Sequence, residues 1–217
     1  PDIAAGSYFY HGENNEVYIG FVIPLDYKNP HLSPFDEFQR WKTHPSIKKY
    51  LIGGERLSYG ARALIKGGLQ SLPKMEFPGG LLIGCNAGTL VFSKIKGSHT
   101  AMKSGEIAGK HAFDTLQNNI SVDFDSKINE SWIYTELYKS RNFGPIFHKF
   151  GALIGAAVNV IDQFIFRGKL PFTMSHPTPD YACLKKADDM PKIDYPKPDG
   201  VYSFDKLSSV YLSNTNH

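Results

Sequence analysis

Cysteine is scarce in this chain: Cys85 and Cys183 are the only two in 217 residues, and neither sits in a CxxC pair. That excludes a disulfide framework, and it leaves no zinc or iron–sulfur site that the chain builds by itself. Reduced thiols fit an intracellular or organellar compartment. Also lacking are a G-x-G-x-x-G opening a βαβ unit, a phosphate-binding P-loop, a G-x-S-x-G elbow and any histidine pair at metal-ligating spacing. The eight histidines are dispersed, and His99 alone stands at a helix start beside a glycine loop. No charge of one sign dominates: the net charge is +3, with lysines and aromatics scattered, so no nucleic-acid surface is expected. No signal or Arg-rich transit peptide follows Pro1, and the string Asn214-Thr215-Asn216-His217 carries no cap. Both ends are expected to be cuts within a longer protein.

What is present suffices for one good core or parts of two, since 41% of the residues are hydrophobic. The order of elements predicts an α+β fold. Two aromatic and β-branched runs flank Gly12-Glu13-Asn14-Asn15-Glu16, so residues 6–25 read as a hairpin. Asp26-Tyr27-Lys28-Asn29-Pro30 is a turn. A helix follows over Pro34–Lys42, with Phe35, Phe38 and Trp41 at helical spacing and expected in the core. Pro45 opens another short helix. Residues 56–65 fit strand or helix equally. A helix from about Ser98 to Leu116, ended by Asn118-Asn119, carries a stripe of Ala101, Gly105, Ala108 and Ala112 that permits close approach to a sheet. A single helix is expected over 125–141, with Ile128, Trp132, Leu137 and Tyr138 inward. After Pro171 the chain is loop-rich, punctuated by Pro177, Pro179, Pro191, Pro196 and Pro198.

Two stretches carry chemical information. In the first, FPGGLLIGCNAGTLVFSKIKGSHTAMKSG (77–105), a buried strand Leu81-Leu82-Ile83 runs into a small-residue turn over 84–88. A basic loop follows, and then a helix opens at Ser98, His99 or Thr100. A helix start next to a glycine turn gathers N–H donors and a dipole worth roughly 0.3–1 kcal/mol toward a nearby negative charge. The order GG-LLIG-x-x-x-G, then K-G and a helix, matches the second nucleotide-contacting segment of many flavoproteins. Cys85 stands where those proteins usually keep an acid.

The second stretch is 147–168, FHKFGALIGAAVNVIDQFIFRG. Asn159, Asp162 and Gln163 share one face with Ala152, Gly155 and Ala156, while Phe150, Leu153, Ile154, Ala157, Val158, Ile161, Phe164 and Ile165 spread over the rest. A spanning helix wants about 20 mainly apolar residues. This one is borderline and holds an acid, so it suits the plane of a bilayer interface, anchored by His148, Lys149, Arg167 and Lys169. A buried core helix fits the same pattern equally well.

The segments LDYKNPHLSPFDEFQRWKTHPSI (25–47), 59–105 and YPKPDGVYSFDKLSSVYLSNTNH (195–217) resemble the electron transfer flavoprotein–ubiquinone oxidoreductase family, and the resemblance covers nearly the whole chain. It implies a monotopic enzyme of the mitochondrial inner membrane with FAD and one [4Fe–4S] cluster. Electrons would come from electron transfer flavoprotein and go to ubiquinone. It further implies a glutathione-reductase-like FAD domain with an inserted β-sheet quinone-binding domain. The family's GxGxxG fingerprint would precede Pro1, and its four cluster cysteines would follow His217.

By position, residues 1–76 would belong to the quinone-binding domain, 77–145 to the returning FAD segment, 146–172 to a membrane-surface helix (the family's helix falls on about 148–172), and 173–217 to a loop region leading to the cluster domain. The quinone site's Gly-Gly pair reads Ala5-Gly6 in this chain. The FAD side would be Gly84, Cys85, Gly88, Lys96, Gly97, His99 and Thr100. The resemblance tips the 147–168 stretch toward the interface, with the membrane face made by Phe150, Leu153, Ile154, Val158, Ile161, Phe164 and Ile165. Two rivals remain at this point: a cluster-free flavin reductase or hydroxylase, and a membrane-peripheral module without redox chemistry.

Overall fold

A computed structural model describes residues 5–118, 123–175 and 178–215. The chain forms two units, one from residues 1–62 with 178–217 and the other from residues 63–177.

In the first unit Asn14 and Asn15 reverse the chain, at φ of 54° and 61°. Asparagine enters this left-handed region more readily than other residues with a Cβ. The expected hairpin forms as β1 (Gly6–His11) and β2 (Val17–Val22), antiparallel with Tyr8 opposite Gly20 and Tyr10 opposite Tyr18. Alternation gives the hairpin two faces. Phe9 meets Tyr50 at 5.0 Å between ring centroids and Phe21 meets Trp41 at 5.9 Å. Tyr8, Tyr10 and Tyr18 lie exposed on the opposite face.

Helix α1 (Pro34–Lys42) is capped by Ser33, whose hydroxyl accepts from the Asp36 N–H; Pro34 adds a pre-set first-turn φ. The short α2 (Pro45–Lys48) begins at Pro45 as expected. The aromatics of α1 are only half-buried, contrary to expectation. Its buried residues are Gln39 and Lys42. Gln39 Oε1 accepts from the Phe204 N–H at 2.9 Å. The Lys42 ammonium lies 5.2 Å from the Phe38 ring and 4.8 Å from Phe204, and Arg56 covers Phe204 at 3.8 Å. Among the described residues of this unit no apolar side chain is buried. Rings and cations hold it instead.

Within the turn-rich 195–200 run, Asp199 Oδ1 accepts the N–H groups of Val201, Tyr202 and Ser203. Helix α8 (Lys206–Tyr211) then starts at the Asp205 cap. Pro177 lies outside the described residues.

Burial, with help from the Arg56 charge and against the pull of Asp199, lowers the Lys42 pKa to about 8 from an ordinary value near 10.5. The unfolded chain therefore binds more protons than the folded one between those values, and stability rises with pH across that window. Thermal melting from pH 7.5 to 10 should show a rise that Lys42→Met removes. An unchanged rise in the variant would assign it to other groups.

The second unit holds the apolar core: Met75, Ala87, Val91, Phe124, Ile128, Ile133 and Leu137. Residues 54–67 take neither strand nor helix. The strand expected at 81–83 is shorter and shifted: β4 (Gly80–Leu81) pairs with β3 (Glu76–Phe77) in a two-stranded antiparallel ladder. Ile83 is already the residue before a one-turn helix, α3 (Gly84–Ala87).

Helix α4 runs Ser98–Asn118, with Asn119 outside the described residues. Its small-residue stripe meets α3 rather than a sheet, for a Cβ on Gly84 would stand 3.2 Å from Ala101 Cβ. The helix expected over 125–141 is two, α5 (Phe124–Glu130) and α6 (Trp132–Ser140). Ser131, with ψ of 165°, caps the second through its hydroxyl. The break rotates the inward face onto Ile128, Ile133 and Leu137, leaving Trp132 and Tyr138 43% and 38% exposed.

The apolar stretch also differs from expectation. Helix α7 (Phe143–Val160) is interrupted at Gly151, where φ is 71° and ψ is −174°. The chain folds back there into two antiparallel arms. Partners lie symmetrically about the glycine. A Cβ on Gly155 would stand 3.0 Å from Phe147 Cα; Asn159 Nδ2 donates to the Phe143 carbonyl at 3.1 Å, and Gln163 Nε2 to the Lys139 carbonyl at 3.0 Å. The second arm continues through a wide turn, Ile161–Ile165, and stops at Arg167 and Gly168, with φ of 53° and 70°. Gly155, Asn159 and Asp162 are its buried row. Ala152 and Ala156 are exposed, so the protein-facing strip is narrower than the helical pattern suggested.

Candidate functional site

The glycine turn and the start of α4 come together within the second unit. Gly84 has φ of 62° and Gly88 has φ of 92°, conformations that suit residues without a Cβ. The Gly84 N–H is already committed to Ser104 Oγ at 2.9 Å. The Gly97 carbonyl accepts from the Ala101 N–H at 2.8 Å and from Thr100 Oγ1 at 2.9 Å, which makes Gly97 the cap of α4. Ser98, His99 and Thr100 therefore precede the first intrahelical bond, and their N–H groups are the helix's orphan donors. A Cβ on Gly97 would sit 3.0 Å from Cys85 Sγ, so Gly97 and Cys85 touch across the turn. Lys96 is held by its backbone, whose carbonyl accepts from the Val91 N–H at 2.9 Å. Thr100 is buried, and Thr89 Oγ1, beside Gly88, is buried with no hydrogen-bond partner.

These features suit the electron-rich edge of a flavin: backbone donors, a helix dipole, and glycines whose missing side chains keep the turn close to the helix. The donor set lacks a carboxylate at position 85 for a ribityl hydroxyl. His99 Nε2 lies 2.7 Å from Glu136 Oε2, and its ring stacks on Trp132 at 5.7 Å and 5°. Lys94 Nζ lies 2.6 Å from the other Glu136 oxygen. Although burial opposes it, bonding to Lys94 and His99 holds the Glu136 carboxyl below its usual range. Sequence reasoning missed Glu136, which lies on α6, far along the chain from the glycine loop.

In the first unit Ala5 is exposed and Gly6 begins β1 opposite Val22. A Cβ on Gly6 would meet nothing within 4 Å. The apolar side chains of the second α7 arm point outward: Leu153 is 89% exposed and Phe164 80%, with Ile154, Ile161 and Ile165 also exposed and Val158 half-buried; Phe150, just before the break on the first arm, is exposed as well. The run Trp132–Ile165 is long and apolar enough to cross a membrane by length and composition. Its continuous outer arm, 152–165, is only about 21 Å at the rise of an α-helix, short of the roughly 30 Å hydrocarbon core. Among the described residues no group of three or more His, Cys, Asp or Glu is placed to hold a metal.

Residues 1–64 match the family model "ETF-QO, ubiquinone-binding". The chain is 61% identical, over 98% of its length, to an electron transfer flavoprotein-ubiquinone oxidoreductase of Pseudomonas aeruginosa, of which it covers 39%. It is 50% identical to the mitochondrial protein of that name from Bos taurus, with 98% of the chain and 36% of the relative aligned. Against the mitochondrial protein of that name from Arabidopsis thaliana the figures are 46%, 100% and 34%. The chain thus spans under two fifths of the length of these relatives. From end to end, therefore, the chain is similar to one portion of these electron transfer flavoprotein-ubiquinone oxidoreductases, and its first 64 residues match the ubiquinone-binding family model.

Proposed function

We propose that the chain is a portion of an enzyme that carries electrons from reduced electron transfer flavoprotein to ubiquinone, with FAD and a [4Fe–4S] cluster as its redox groups. The observation that carries this reading is the 61% identity over 98% of the chain to a relative of that name. FAD supplies one- and two-electron chemistry when bound. The residues proposed to hold its edge are Gly84, Cys85, Gly88, Lys96, Gly97, His99 and Thr100, with the N–H groups of the α4 start as donors. Cys85 and Cys183 are too few for the four thiolates of a cluster, so its ligands come from outside this chain. Ala5 and Gly6 are the proposed quinone contacts, offering backbone groups; reduction to ubiquinol takes two electrons and two protons. No side chain in this chain acts as a nucleophile or general acid in this reading. Its residues position groups and set local charge. The FAD segment is proposed to belong to a glutathione-reductase-like domain.

The absorbance spectrum of the full-length protein tests the reading. Flavin bands with an iron–sulfur shoulder are expected, and a colourless protein overturns it.

The exposed arm 152–165 is proposed to lie on the membrane that carries the respiratory chain, the mitochondrial inner membrane in the reading the family implies. Its polar row faces protein and its apolar side chains face lipid. Leu153→Glu with Phe164→Glu should cut liposome partitioning of the full-length protein by tenfold or more, since each buried apolar side chain is worth roughly 1.5–3 kcal/mol. Flavin content should be unchanged. Equal partitioning would refute the interfacial arm.

A further inference from the structure

We infer that Glu136 is a positioning residue for the flavin site: it fixes the ring of His99 and ties down the loop that leads into α4. The inference rests on the flavin reading above and extends it to an element, α6, that carries none of the residues assigned to that site. Three observations support it. One carboxylate takes two partners from the two ends of one loop, Lys94 Nζ at 2.6 Å and His99 Nε2 at 2.7 Å. The His99 ring is held flat against Trp132, one turn before Glu136 on the same helix, at 5.7 Å and 5°. Between the two anchors Ile95 takes φ of 52°, a strained conformation for a β-branched residue, and is exposed. Such a conformation persists only when its surroundings hold it.

The chemistry follows from the geometry. With Nε2 turned to a carboxylate, that nitrogen carries a hydrogen and donates it, so Glu136 sets which face of the imidazole remains for other partners. The other oxygen, Oε1, accepts from Lys94 and keeps the loop from swinging away from the α4 start. Two charge-assisted bonds to one half-buried carboxylate bracket the loop, the His99 bond partly buried and the Lys94 bond at the surface. Glu136 also places one negative charge close to Lys94 and His99, and so enters the electrostatics that any flavin at the α4 start experiences.

The test uses the full-length, flavin-loaded protein and its flavin reduction potential, which a merely structural role would not move. Glu136→Gln keeps the side chain's size and removes its charge. It should move the potential to more positive values, and the same substitution made together with His99→Asn should move it less, because part of the effect passes through the imidazole. Flavin dissociation should also speed up roughly tenfold, the loss of one charge-assisted bond. An unchanged potential with a lowered melting temperature overturns the proposal. So does a shift of equal size in both backgrounds, because Glu136 would then act without His99. Where Glu136→Gln is recovered without flavin, Glu136→Asp keeps the charge and withdraws it by one methylene; faster flavin loss in that variant supports the bracket, and wild-type retention overturns it. A wild-type protein without flavin would sink the flavin reading itself. A flavin-loaded wild type with an indifferent Glu136 would sink only this inference.

Discussion

Arg141→Met should cost about 3–5 kcal/mol of stability, the range for removing one member of a buried charged network. Arg141 is buried, and its guanidinium uses all five N–H groups of its fork. Nη1 donates to the carbonyls of Tyr138 and Gly168, Nη2 to those of Leu170 and Phe172, and Nε to Thr173 Oγ1. The Tyr138 ring lies 3.8 Å away. The following residue completes the tie: Asn142 Nδ2 donates to the Phe172 carbonyl and its Oδ1 accepts from the Met174 N–H. One side chain thus organises the whole return segment 168–173 against the end of α6. Methionine fills the volume and takes the guanidinium donors from the Gly168 and Leu170 carbonyls, while Phe172 keeps Asn142 Nδ2 and Tyr138 keeps the main-chain N–H of residue 141. Lysine restores the charge but not the fork, and should recover less than half of the loss. An unfolding free energy from urea titration within about 1 kcal/mol of wild type would show that water replaces the guanidinium.

Gly155→Val should separate the two arms of α7. A Cβ at that position already stands 3.0 Å from Phe147 Cα and 3.3 Å from the Ile146 carbonyl, backbone atoms that cannot swing aside. Overpacking of this kind costs typically 1–3 kcal/mol. The arms would also lose the Asn159–Phe143 and Gln163–Lys139 bonds, which need the same close approach. Hydrogen exchange across 152–165 should accelerate while that of α4 stays slow. Uniform acceleration in both would mean that Gly155 supports the whole unit rather than the arm alone.

Much of the framework is legible from residue order alone. Asn14-Asn15 between aromatic runs announces the hairpin, and Gly97 before Ser98 announces the start of α4, because turn chemistry is local. The polar row Asn159, Asp162 and Gln163 is legible for the same reason. What escapes is decided at a distance. Ser131 reads as one more polar residue inside an amphipathic pattern, although its hydroxyl caps a second helix. Gly151 sits in an apolar run where a glycine is tolerable in a helix, and only packing of the arms shows it to be a reversal. Arg141 looks like a basic residue in the last turn of a helix. Its five partners lie in Tyr138 and in a loop some thirty residues on. Glu136 escapes because a carboxylate on an exposed helix face is ordinary until His99 and Lys94 are brought to it.

The fold-back at Gly151 also constrains how this region tolerates insertions and deletions. Contacts four, eight and twelve residues to either side of the glycine depend on both arms keeping their length from that point. One residue inserted just after Gly151 would turn the outer arm by about 100° relative to its partner, given 3.6 residues per turn. Asp162 would leave its buried place and a side chain of the apolar surface would enter it. An insertion of four residues turns the arm by about 40° beyond a full turn, and so returns it nearly to its original face one turn further out. Length changes here should therefore come in whole helical turns, a spacing rule that comparison of related chains can read directly.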